Sequence, residues 1–399
     1  MSKITYIDEV EIKNKRVLLR VDYNVSLNKD GTIHDDTRIK NSLPTIEYLL
    51  ERGNTLILMS HLGNPKGRDK KLSLKPIATR LQTYTPAYHV ELINDFLTDD
   101  LFKVKEKLNM LSNNKTIYII ENTRFYPGEK KNDSEFAKKL AAFADIYVND
   151  GFGVCHRNDA SVIGIPPLLP SYGGLLLKKE VSVITKGIEA PKKPLVVVVA
   201  GAKVSTKIGF IKKLLQISDA VLIGGAMANT FLKAQGYEIG CGQFEPEFIT
   251  AAKEVIEYAN KNKKKLLLPT DYRVGNRNDE KTEGVIKKFS NMDANECPLD
   301  IGPETEIHYS AIIAQAKTLI WNGPVGYFEN PQYALGTEAI LKAIIDNTNA
   351  VSIIGGGDTL ISIKHSSVEG KITHISTGGG AMLELIEKGT LPGIEVLKR

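Results

Sequence analysis

Cysteine, tryptophan and long apolar runs are scarce in this chain of 399 residues. Its three cysteines, Cys155, Cys241 and Cys297, are too few for a disulfide framework, and no CxxC pair indicates a zinc site. No apolar run approaches the about 20 residues that span a bilayer, and the N-terminus has no apolar segment typical of a secretion signal. We therefore expect a soluble, cytosolic protein.

Two common phosphate-binding motifs are absent as well. Neither the P-loop motif G-x-x-x-x-G-K-[ST] nor the dinucleotide motif G-x-G-x-x-G occurs in the sequence. The charges are nearly balanced, with 52 Lys and Arg against 47 Asp and Glu, for a formal net charge of +5. So small an excess argues against nucleic-acid binding as the main function, although it is compatible with a local basic cleft.

Short apolar runs recur along the chain and alternate with segments of helical periodicity, such as 43–52, 135–143, 247–260 and 333–346. The runs do not alternate apolar with polar residues, which is typical of parallel strands buried on both faces. The sequence therefore predicts an α/β protein with two sets of parallel strands and a domain junction near 170–190. The predicted strands are 16–22, 55–61, 88–93, 116–122, 145–150, 195–200, 220–225, 265–268, 318–322, 351–355 and 374–378.

Most of these runs end in polar or glycine-rich clusters, where parallel sheets bind their ligands. In the first half the clusters contain His61 and the four arginines Arg20, Arg38, Arg124 and Arg157. A single arginine at a strand end is usually a rim charge, but four at four ends favour a site for a small anion.

The segment from Arg20 to Asn24 carries a more specific pattern. Arg20, Asp22 and Asn24 alternate along an extended segment, so they are predicted to face one side and could hold a hydroxy acid. The same pattern is also compatible with a strand-end salt bridge followed by a turn-forming asparagine. On this segment alone, we favour the salt bridge.

The second half carries glycine clusters instead. In AGAKVSTKIG, Lys203 and Lys207 would lie on one face if the segment were helical; a tight turn before a solvated helix is an equally good interpretation. The triple glycines of GGGDT at 355–359 and TGGGA at 377–381 can bring backbone amides close to phosphates. Asp358 can cap a helix or bind Mg²⁺.

With these motifs in view, the chain resembles the phosphoglycerate kinase family along essentially its whole length. The matching segments include RVDYNVS, DDTRI, SHLGNP, ENTRFYPGE, VNDGFGVCHR, AGAKVSTKIG, IGGAMANTFL, LDIGPET, WNGPVGYFE, IGGGDT and STGGGAMLELIEKGTLPGIEVL, in the family's order and spacing. The resemblance implies two Rossmann-like three-layer αβα domains with parallel sheets, joined by a hinge helix. The expected domains are 1–170 for 3-phosphoglycerate, 171–190 as the hinge helix and 191–390 for the nucleotide, with 391–399 packing back on the first domain.

The resemblance also implies a function and its residues. The activity would be reversible, Mg²⁺-dependent transfer of a phosphoryl group between 1,3-bisphosphoglycerate with ADP and 3-phosphoglycerate with ATP, by a cytoplasmic monomer that closes around its hinge. Implied substrate-binding residues are Asp22, Tyr23, Asn24, Arg38, His61, Asn64, Arg124 and Arg157. Implied nucleotide-binding residues are Lys207, Gly302, Glu329, Gly356, Gly357, Asp358 (also the Mg²⁺ ligand) and Thr359. Implied participants in transfer are Arg38, Lys203, Gly378, Gly379 and Gly380.

One departure from the family pattern concerns Asn64, where the family typically has arginine or another cation. One charge near the substrate phosphate would be missing, so we expect a raised KM for 3-phosphoglycerate with kcat largely kept.

Three other functions compete with phosphoryl transfer. A dehydrogenase is disfavoured by the missing dinucleotide motif, nucleic-acid binding has only the mild charge in its favour, and an inactive binding homologue is disfavoured because Arg38, Lys203, Asp358 and both glycine loops are present.

Overall fold

The computed structural model describes residues 3–94, 115–276, 284–363, 368 and 370–398. The chain divides into two units: unit 1 comprises Met1–Ser182 and Thr390–Arg399, and unit 2 comprises Val183–Gly389. The helix Leu175–Glu189 begins in unit 1 and ends in unit 2. The segment expected to act as a hinge, 171–190, therefore lies across the division between the units.

Unit 1 is built on a six-stranded sheet whose strand order is β3-β4-β2-β1-β5-β6. All neighbouring strands are parallel. The strands are β1 (Arg16–Arg20), β2 (Thr55–Met59), β3 (His89–Ile93), β4 (Thr116–Ile120), β5 (Ile146–Asn149) and β6 (Ser171–Gly173). Every residue of β2 and β4 is buried, as expected for strands covered on both faces.

Unit 2 contains a second six-stranded parallel sheet, in the order β15-β14-β13-β7-β8-β9, and a three-stranded antiparallel sheet, β11-β10-β12. The strands are β7 (Leu195–Val199), β8 (Ala220–Ile223), β9 (Lys265–Leu267), β10 (Asp271–Gly275), β11 (Val285–Lys288), β12 (Cys297–Ile301), β13 (Thr318–Asn322), β14 (Val351–Gly355) and β15 (His374–Ile375). The predicted α/β class with a parallel sheet in each half is confirmed.

Helices connect the strands and cover the sheets. They are α1 (Thr37–Leu50), α2 (Lys75–Tyr84), α3 (Pro127–Lys130), α4 (Ser134–Ala141), α5 (Leu175–Glu189), α6 (Ile208–Ile217), α7 (Met227–Ala234), α8 (Ile249–Lys261), α9 (Pro303–Gln315), α10 (Leu335–Asp346), α11 (Gly357–Ile363), α12 (Gly379–Lys388) and α13 (Pro392–Glu395). Among the residues that the structure describes, no helix has the length and apolar character needed to cross a membrane.

Each sheet is covered on both faces because alternate residues of a strand point to opposite sides. In unit 1, Val17 and Leu19 of β1 pack in one apolar cluster with residues of α1 and α2, while Leu18 on the other face is also fully buried. In unit 2, Trp321 of β13 packs in a cluster with residues of α9 and α10, and its neighbour Ile320 is equally buried. Buried strand interiors leave only the strand ends for polar chemistry.

The strand orders determine which strand ends form a crevice. In unit 1, β1 continues to β2 on one side and β5 continues to β6 on the other, so the connections diverge between the adjacent strands β1 and β5. In unit 2 the same divergence occurs between β13 and β7. Ligands of open parallel sheets bind beyond the carboxyl ends of the strands at such divergence points. Ligand-binding residues are therefore expected at these two positions.

The C-terminal segment packs on unit 1. Lys398 forms an antiparallel bridge with Ile4, and the Gly393 amide donates to the Cys155 carbonyl over 2.8 Å. A side chain at Gly393 would come within 3.0 Å of the Cys155 backbone, so glycine permits this close contact. The last residues thus complete the first unit although the second unit precedes them in the chain.

Two features of unit 2 were not predicted. The strands of the antiparallel sheet were missed because their sequences, DYRVG, VIKK and CPLDI, are short and carry charged residues or proline. Cys241 and Cys297, which the sequence analysis left unpaired, form a disulfide across a separation of 56 residues. Two cysteines so far apart are brought together by the tertiary fold, which their count and spacing do not encode.

The core of unit 2 provides a stability test. Replacing Ile354 by alanine removes a fully buried side chain from the cluster around β13, and we expect a loss of about 2–4 kcal/mol in the free energy of unfolding. Urea unfolding can be followed by the fluorescence of Trp321, which is the single tryptophan. The control is Ile307→Ala on α9, whose side chain is 73% exposed, and which should change stability by no more than about 0.5 kcal/mol. Equal losses in both variants would contradict this assignment of the core.

Candidate active site

The segment that follows β1 brings three predicted substrate residues together. Arg38, in the first turn of α1, forms an ion pair of 3.0 Å with Asp22 and donates to the Asn24 carbonyl over 2.8 Å. The Asn24 amide donates to the other Asp22 oxygen over 3.2 Å. The guanidinium is thus held beside a carboxylate and an amide at the carboxyl end of β1.

His61, at the end of β2, is buried beside the arginines. Arg20 Nη2 lies 3.2 Å from His61 Nδ1; because guanidinium only donates, Nδ1 accepts and the imidazole proton belongs on Nε2. Burial lowers the pKa of His61 well below its usual range, and four nearby guanidinium groups lower it further, in the order Arg20, Arg124, Arg157 and Arg38. His61 is therefore a neutral donor through Nε2 rather than an added positive charge.

Arg124 and Arg157 complete the group of donors. Arg124 Nη1 donates to the Gly63 carbonyl over 2.8 Å, and Nη2 lies 3.5 Å from the Asp159 carboxylate. The Nε atoms of both arginines and Nε2 of His61 are buried without a protein acceptor. Buried N–H groups nearly always have an acceptor, so three unpaired donors in one unit point to an anionic ligand.

Arg20 lies in the protein core and contacts His61 from there. Its side chain is fully buried and donates through Nε to Ser161 Oγ over 2.9 Å. Ser161 in turn donates to Glu129 through its hydroxyl at 2.5 Å and its backbone amide at 3.0 Å. Burial raises the pKa of the Glu129 carboxyl. The expectation that Arg20 faces the ligand beside Asp22 and Asn24 is therefore wrong, because its guanidinium is used within the protein.

The sequence analysis did not identify Ser161 and Glu129, and it named Tyr23 as a substrate-binding residue without distinguishing its side chain from its main chain. Tyr23 is fully buried, and its hydroxyl forms a hydrogen bond of 2.8 Å with the hydroxyl of Ser42. Only its main chain is therefore available to a substrate. Asn24 accepts from the Gly63 amide over 2.8 Å through Oδ1, which joins the segment after β1 to the loop after β2.

Asn64 is exposed, and the ammonium group of a lysine lies beside it. Lys130, at the end of α3, donates to Asn64 Oδ1 over 3.0 Å. Throughout the described ranges no carboxylate pairs with Lys130. The adjacent Glu129 anchors α3 in the core through Ser161. A cation therefore lies next to position 64, and sequence reasoning missed it because 66 residues separate the two side chains.

In unit 2, Lys207 lies at the divergence between β7 and β13. Its amino group donates to the Ala200 carbonyl, and burial lowers its pKa to about 8, against a raising effect of Asp358. A side chain at Gly323, where φ is +96°, would come within 2.0 Å of the Ala200 oxygen and 2.8 Å of Lys207 Nζ. Glycine is thus required at the turn after β13 so that the amino group can fit.

Lys203 and Lys207 do not stack on a helix. Helix α6 begins at Ile208, and Lys207 is its N-terminal cap residue, while Lys203 is exposed in the preceding turn. The helical alternative for this segment is therefore wrong, and the tight turn before a helix is the observed conformation. The two lysines differ as a result: one is held against a carbonyl, and the other extends into solvent.

The two triple-glycine loops pack against each other. A side chain at Gly379 would lie 2.7 Å from Gly356 Cα, a separation that only glycine allows. Gly356 has φ of +114°. The Thr359 hydroxyl accepts from the Gly323 amide over 2.7 Å and donates to the Gly355 carbonyl over 3.1 Å. Thr359 therefore positions the loop from within the protein, while the glycines bring the backbones together.

The remaining residues of these loops are positioned at helix starts. Gly357 and Asp358 are exposed in the first turn of α11. Gly378 is the N-terminal cap of α12, and Gly380 is exposed in its first turn. Backbone amides at helix starts have no partner within the helix, so this arrangement favours phosphate oxygens.

A cavity of about 200 Å³ lies beside these loops, within unit 2. Its lining includes Glu329 and Asp358, two of the residues expected to bind the nucleotide, and also both cysteines of the disulfide. Gly302 does not line it: this residue is buried at the start of α9, and a side chain there would lie 2.3 Å from the Asp271 carboxylate. The structure gives Gly302 a packing role at the start of α9 rather than a contact with the cavity.

Buried donors without acceptors at one parallel sheet and closely packed glycine loops at the other are both arrangements that suit oxyanions. The family model described as phosphoglycerate kinase matches residues 7–389. Phosphoglycerate kinases of Dictyoglomus turgidum and Koribacter versatilis are each 45% identical to the chain, covering all of it and 100% and 99% of their own length. The chain therefore belongs to the phosphoglycerate kinase family, as the sequence motifs predicted.

Solved structures agree with this assignment. The phosphoglycerate kinase from Coxiella burnetii is 38% identical, with a TM-score of 0.86 and coverage of 99% of this chain and 98% of that one. The phosphoglycerate kinase from Pyrococcus horikoshii is 31% identical, with a TM-score of 0.85 and the same coverage.

The state of His61 can be tested directly. Because burial and four arginines oppose its protonation, the pKa of His61 in NMR titrations should lie well below that of an ordinary histidine, with the proton of the neutral ring on Nε2. The variant His61→Asn assigns the signal among the seven histidines. Unfolded His61 gains a proton below about pH 6.5, so the wild type should lose stability on acidification relative to His61→Asn. An ordinary titration midpoint for this imidazole would contradict the assignment.

Proposed function

We propose that the chain catalyses reversible transfer of a phosphoryl group between 1,3-bisphosphoglycerate with ADP and 3-phosphoglycerate with ATP, the reaction used in glycolysis and gluconeogenesis. The observation that carries the proposal is the set of three buried donors without acceptors, His61 Nε2, Arg124 Nε and Arg157 Nε. Their unpaired N–H groups suit a phosphate dianion, because each buried donor regains a hydrogen bond when the anion binds.

In unit 1 we assign the substrate's phosphate to His61, Arg124 and Arg157. Asp22 and Asn24 take the hydroxyl and carboxylate end, with the Tyr23 backbone between them. Arg38 is the one cation of the group that is tied to the hydroxyl end through Asp22, so it is placed to contact the carboxylate and the group in transfer. Its bidentate geometry suits both kinds of oxygen.

The chemistry needs no general base in the protein. The acceptor is a carboxylate, which is already ionised at neutral pH, so its oxygen can attack without losing a proton. Catalysis then consists of alignment and of stabilising the charge on the oxygens of the transferred group. We assign this stabilisation to Arg38 and Lys203 and to the amides of Gly378, Gly379 and Gly380.

In unit 2 we assign the nucleotide phosphates to Lys207 and the loop of Gly356, Gly357 and Thr359, with Thr359 acting through the backbone that it holds. Glu329, on the cavity wall, would hold the ribose. The predicted contact of Gly302 with ATP is not part of this assignment, because Gly302 is buried against Asp271.

Mg²⁺ fits the donors present at Asp358. The carboxylate is exposed on the cavity wall, and in the described ranges no group of three or more His, Cys, Asp or Glu forms a metal cage. Mg²⁺ is commonly held by one or two carboxylates together with nucleotide phosphates, so a single aspartate is sufficient. When bound there, the ion would neutralise charge on the phosphate oxygens.

We further propose that the protein works as a monomer in the cytoplasm. Each predicted ligand site is formed by residues of one chain, and none of the assigned roles needs a second copy. ATP and phosphorylated sugar acids are intracellular metabolites, and their binding residues would have no use outside the cell.

The test is acceptor-dependent turnover. ADP formation from Mg-ATP should require 3-phosphoglycerate, and hydroxylamine should trap the acyl phosphate product. We expect Arg38→Ala and Lys203→Ala each to lower kcat by about 100- to 1,000-fold, because each removes charge stabilisation in the transition state. Lys253→Ala, which removes an exposed lysine of α8, is the matched control and should leave turnover unchanged. Wild-type protein that binds both ligands without turnover would overturn the proposal.

A second test concerns the cation at the edge of unit 1. Because Lys130 places its ammonium beside Asn64, it should offset the raised KM expected from the asparagine. Lys130→Met should raise the KM for 3-phosphoglycerate about three- to tenfold, which is about 1 kcal/mol of binding, with kcat and the KM for ATP unchanged. Lys131→Met removes a neighbouring exposed lysine and should have no effect. Equal effects of the two variants would mean that only the general charge of this surface matters.

A further inference from the structure

The Cys241–Cys297 disulfide is part of the wall of the unit 2 cavity that also contains Glu329 and Asp358. Gly242 on one side and Pro298 on the other, each adjacent to a cysteine, line the same cavity. Cys241 is exposed and Cys297 is half-buried, so the bond is accessible from solvent. A covalent link therefore joins two segments of the wall that lie far apart in the sequence.

The two sides of the bond are held by the protein to different degrees. Cys297 begins β12 and is paired with Gly275 of β10, so the antiparallel sheet fixes its position. Cys241 lies in a turn after α7, next to Gly240 with φ of +56°. Its amide donates to the Glu296 carbonyl over 3.0 Å. Opening the disulfide would leave β12 in place and release chiefly the turn that contains Cys241.

A backbone carbonyl oxygen lies close to each of the two sulfurs. The carbonyl oxygen of Asn295 lies 3.3 Å from Cys241 Sγ, and that of Cys241 lies 3.4 Å from Cys297 Sγ. A disulfide sulfur has no hydrogen to donate, whereas a thiol has one. After reduction the two sulfurs must separate, and the Cys241 thiol has the Asn295 carbonyl on the β12 side as a nearby acceptor.

We propose that Cys241 and Cys297 are a positioning pair for the nucleotide and a site of reversible thiol–disulfide exchange with a dithiol. The inference rests on the proposed function, because it takes the nucleotide as the ligand of this cavity. The closed bond holds the Cys241 turn against β12, so the wall is formed before the nucleotide arrives. With the bond open, binding must order the turn, and this ordering lowers affinity.

The exchange is balanced in electrons and protons. A thiolate of the dithiol attacks the more exposed sulfur, Cys241 Sγ, and a mixed disulfide forms as Cys297 leaves as a thiolate. The second thiol of the reagent then attacks the mixed disulfide and releases Cys241. The protein gains two electrons and two protons in all, and the dithiol loses them as it becomes a cyclic disulfide. The third cysteine, Cys155, does not compete, because it is buried and burial raises its pKa to about 12.

The experiment compares ligand affinities before and after reduction with dithiothreitol, by calorimetric titration of the full chain with ADP and, separately, with 3-phosphoglycerate. We expect the Kd for ADP to rise about five- to tenfold on reduction and to recover on reoxidation. The Kd for 3-phosphoglycerate should not change, because its proposed residues all belong to unit 1. At saturating nucleotide, kcat should be the same in both forms.

Cysteine variants distinguish an effect on nucleotide positioning from a general loss of structure. Cys241→Ser/Cys297→Ser should bind ADP with the affinity of the reduced wild type and should not respond to dithiothreitol, whereas Cys155→Ser should keep the full response. Should the double variant fold poorly, graded ratios of reduced to oxidised dithiothreitol on the wild type give the same comparison. Titration of thiols in denaturant should count one before reduction and three after, from the three cysteines of the chain.

The outcomes that would overturn the inference are distinct. Equal ADP affinity in the two redox forms would overturn it and leave the proposed function intact. Equal weakening of both ligands would also overturn it, since that is general loosening rather than positioning. Three free thiols in untreated protein would show that the bond does not form. Absence of ADP binding in either form would overturn the proposed function, and this inference with it.

Discussion

Burial of both faces of each parallel sheet is the constraint on which the rest of this protein depends. A strand that is covered on both sides can carry few polar groups along its length, so charged side chains are confined to the strand ends. Arg20, the last residue of β1, shows which contacts a charged side chain needs when it is fully buried at such an end. Its fully buried guanidinium is paired at three points, with Ser161, His61 and the Val21 carbonyl. The chain from Arg20 through Ser161 to Glu129 thereby fixes the floor of the unit 1 site.

In the unit 1 site, carboxylates pair with two of the arginines. Arg38 is paired with Asp22, and Arg124 lies 3.5 Å from Asp159. These carboxylates reduce repulsion among the guanidinium groups, while the Nε donors of Arg124 and Arg157 stay unpaired. The protein's own carboxylates therefore offset part of the free-energy cost of burying the arginines. The N–H groups that remain unpaired are available to an anionic ligand.

Local patterns predicted those parts of the structure that depend on local sequence. Eleven of the twelve strands of the two parallel sheets were predicted, because apolar runs indicate burial directly; β6 was missed because it has only three residues, SYG. Glycine clusters such as 355–357 identified loops whose backbones come into contact. The contacts of Lys130 with Asn64 and of Glu129 with Ser161 could not be predicted, since each joins residues more than 30 positions apart. Arg20 was misassigned for a related reason: alternation along a strand shows which way a side chain leaves the backbone, but not whether protein or ligand receives it.

The two units offer oxyanions different kinds of hydrogen-bond donor. Unit 1 uses several fixed guanidinium groups, which suits firm binding of a small phosphorylated acid. Unit 2 offers backbone amides at helix starts and the partly buried amine of Lys207, whose pKa burial lowers to about 8. An amine that has already lost much of its hydration gives up little more when a phosphate approaches, so it can bind phosphate oxygens with little further desolvation cost. The hydrogen-bond acceptor of the Lys207 amine is a neutral carbonyl, so a phosphate oxygen that approaches it does not have to displace an ion-pair partner first.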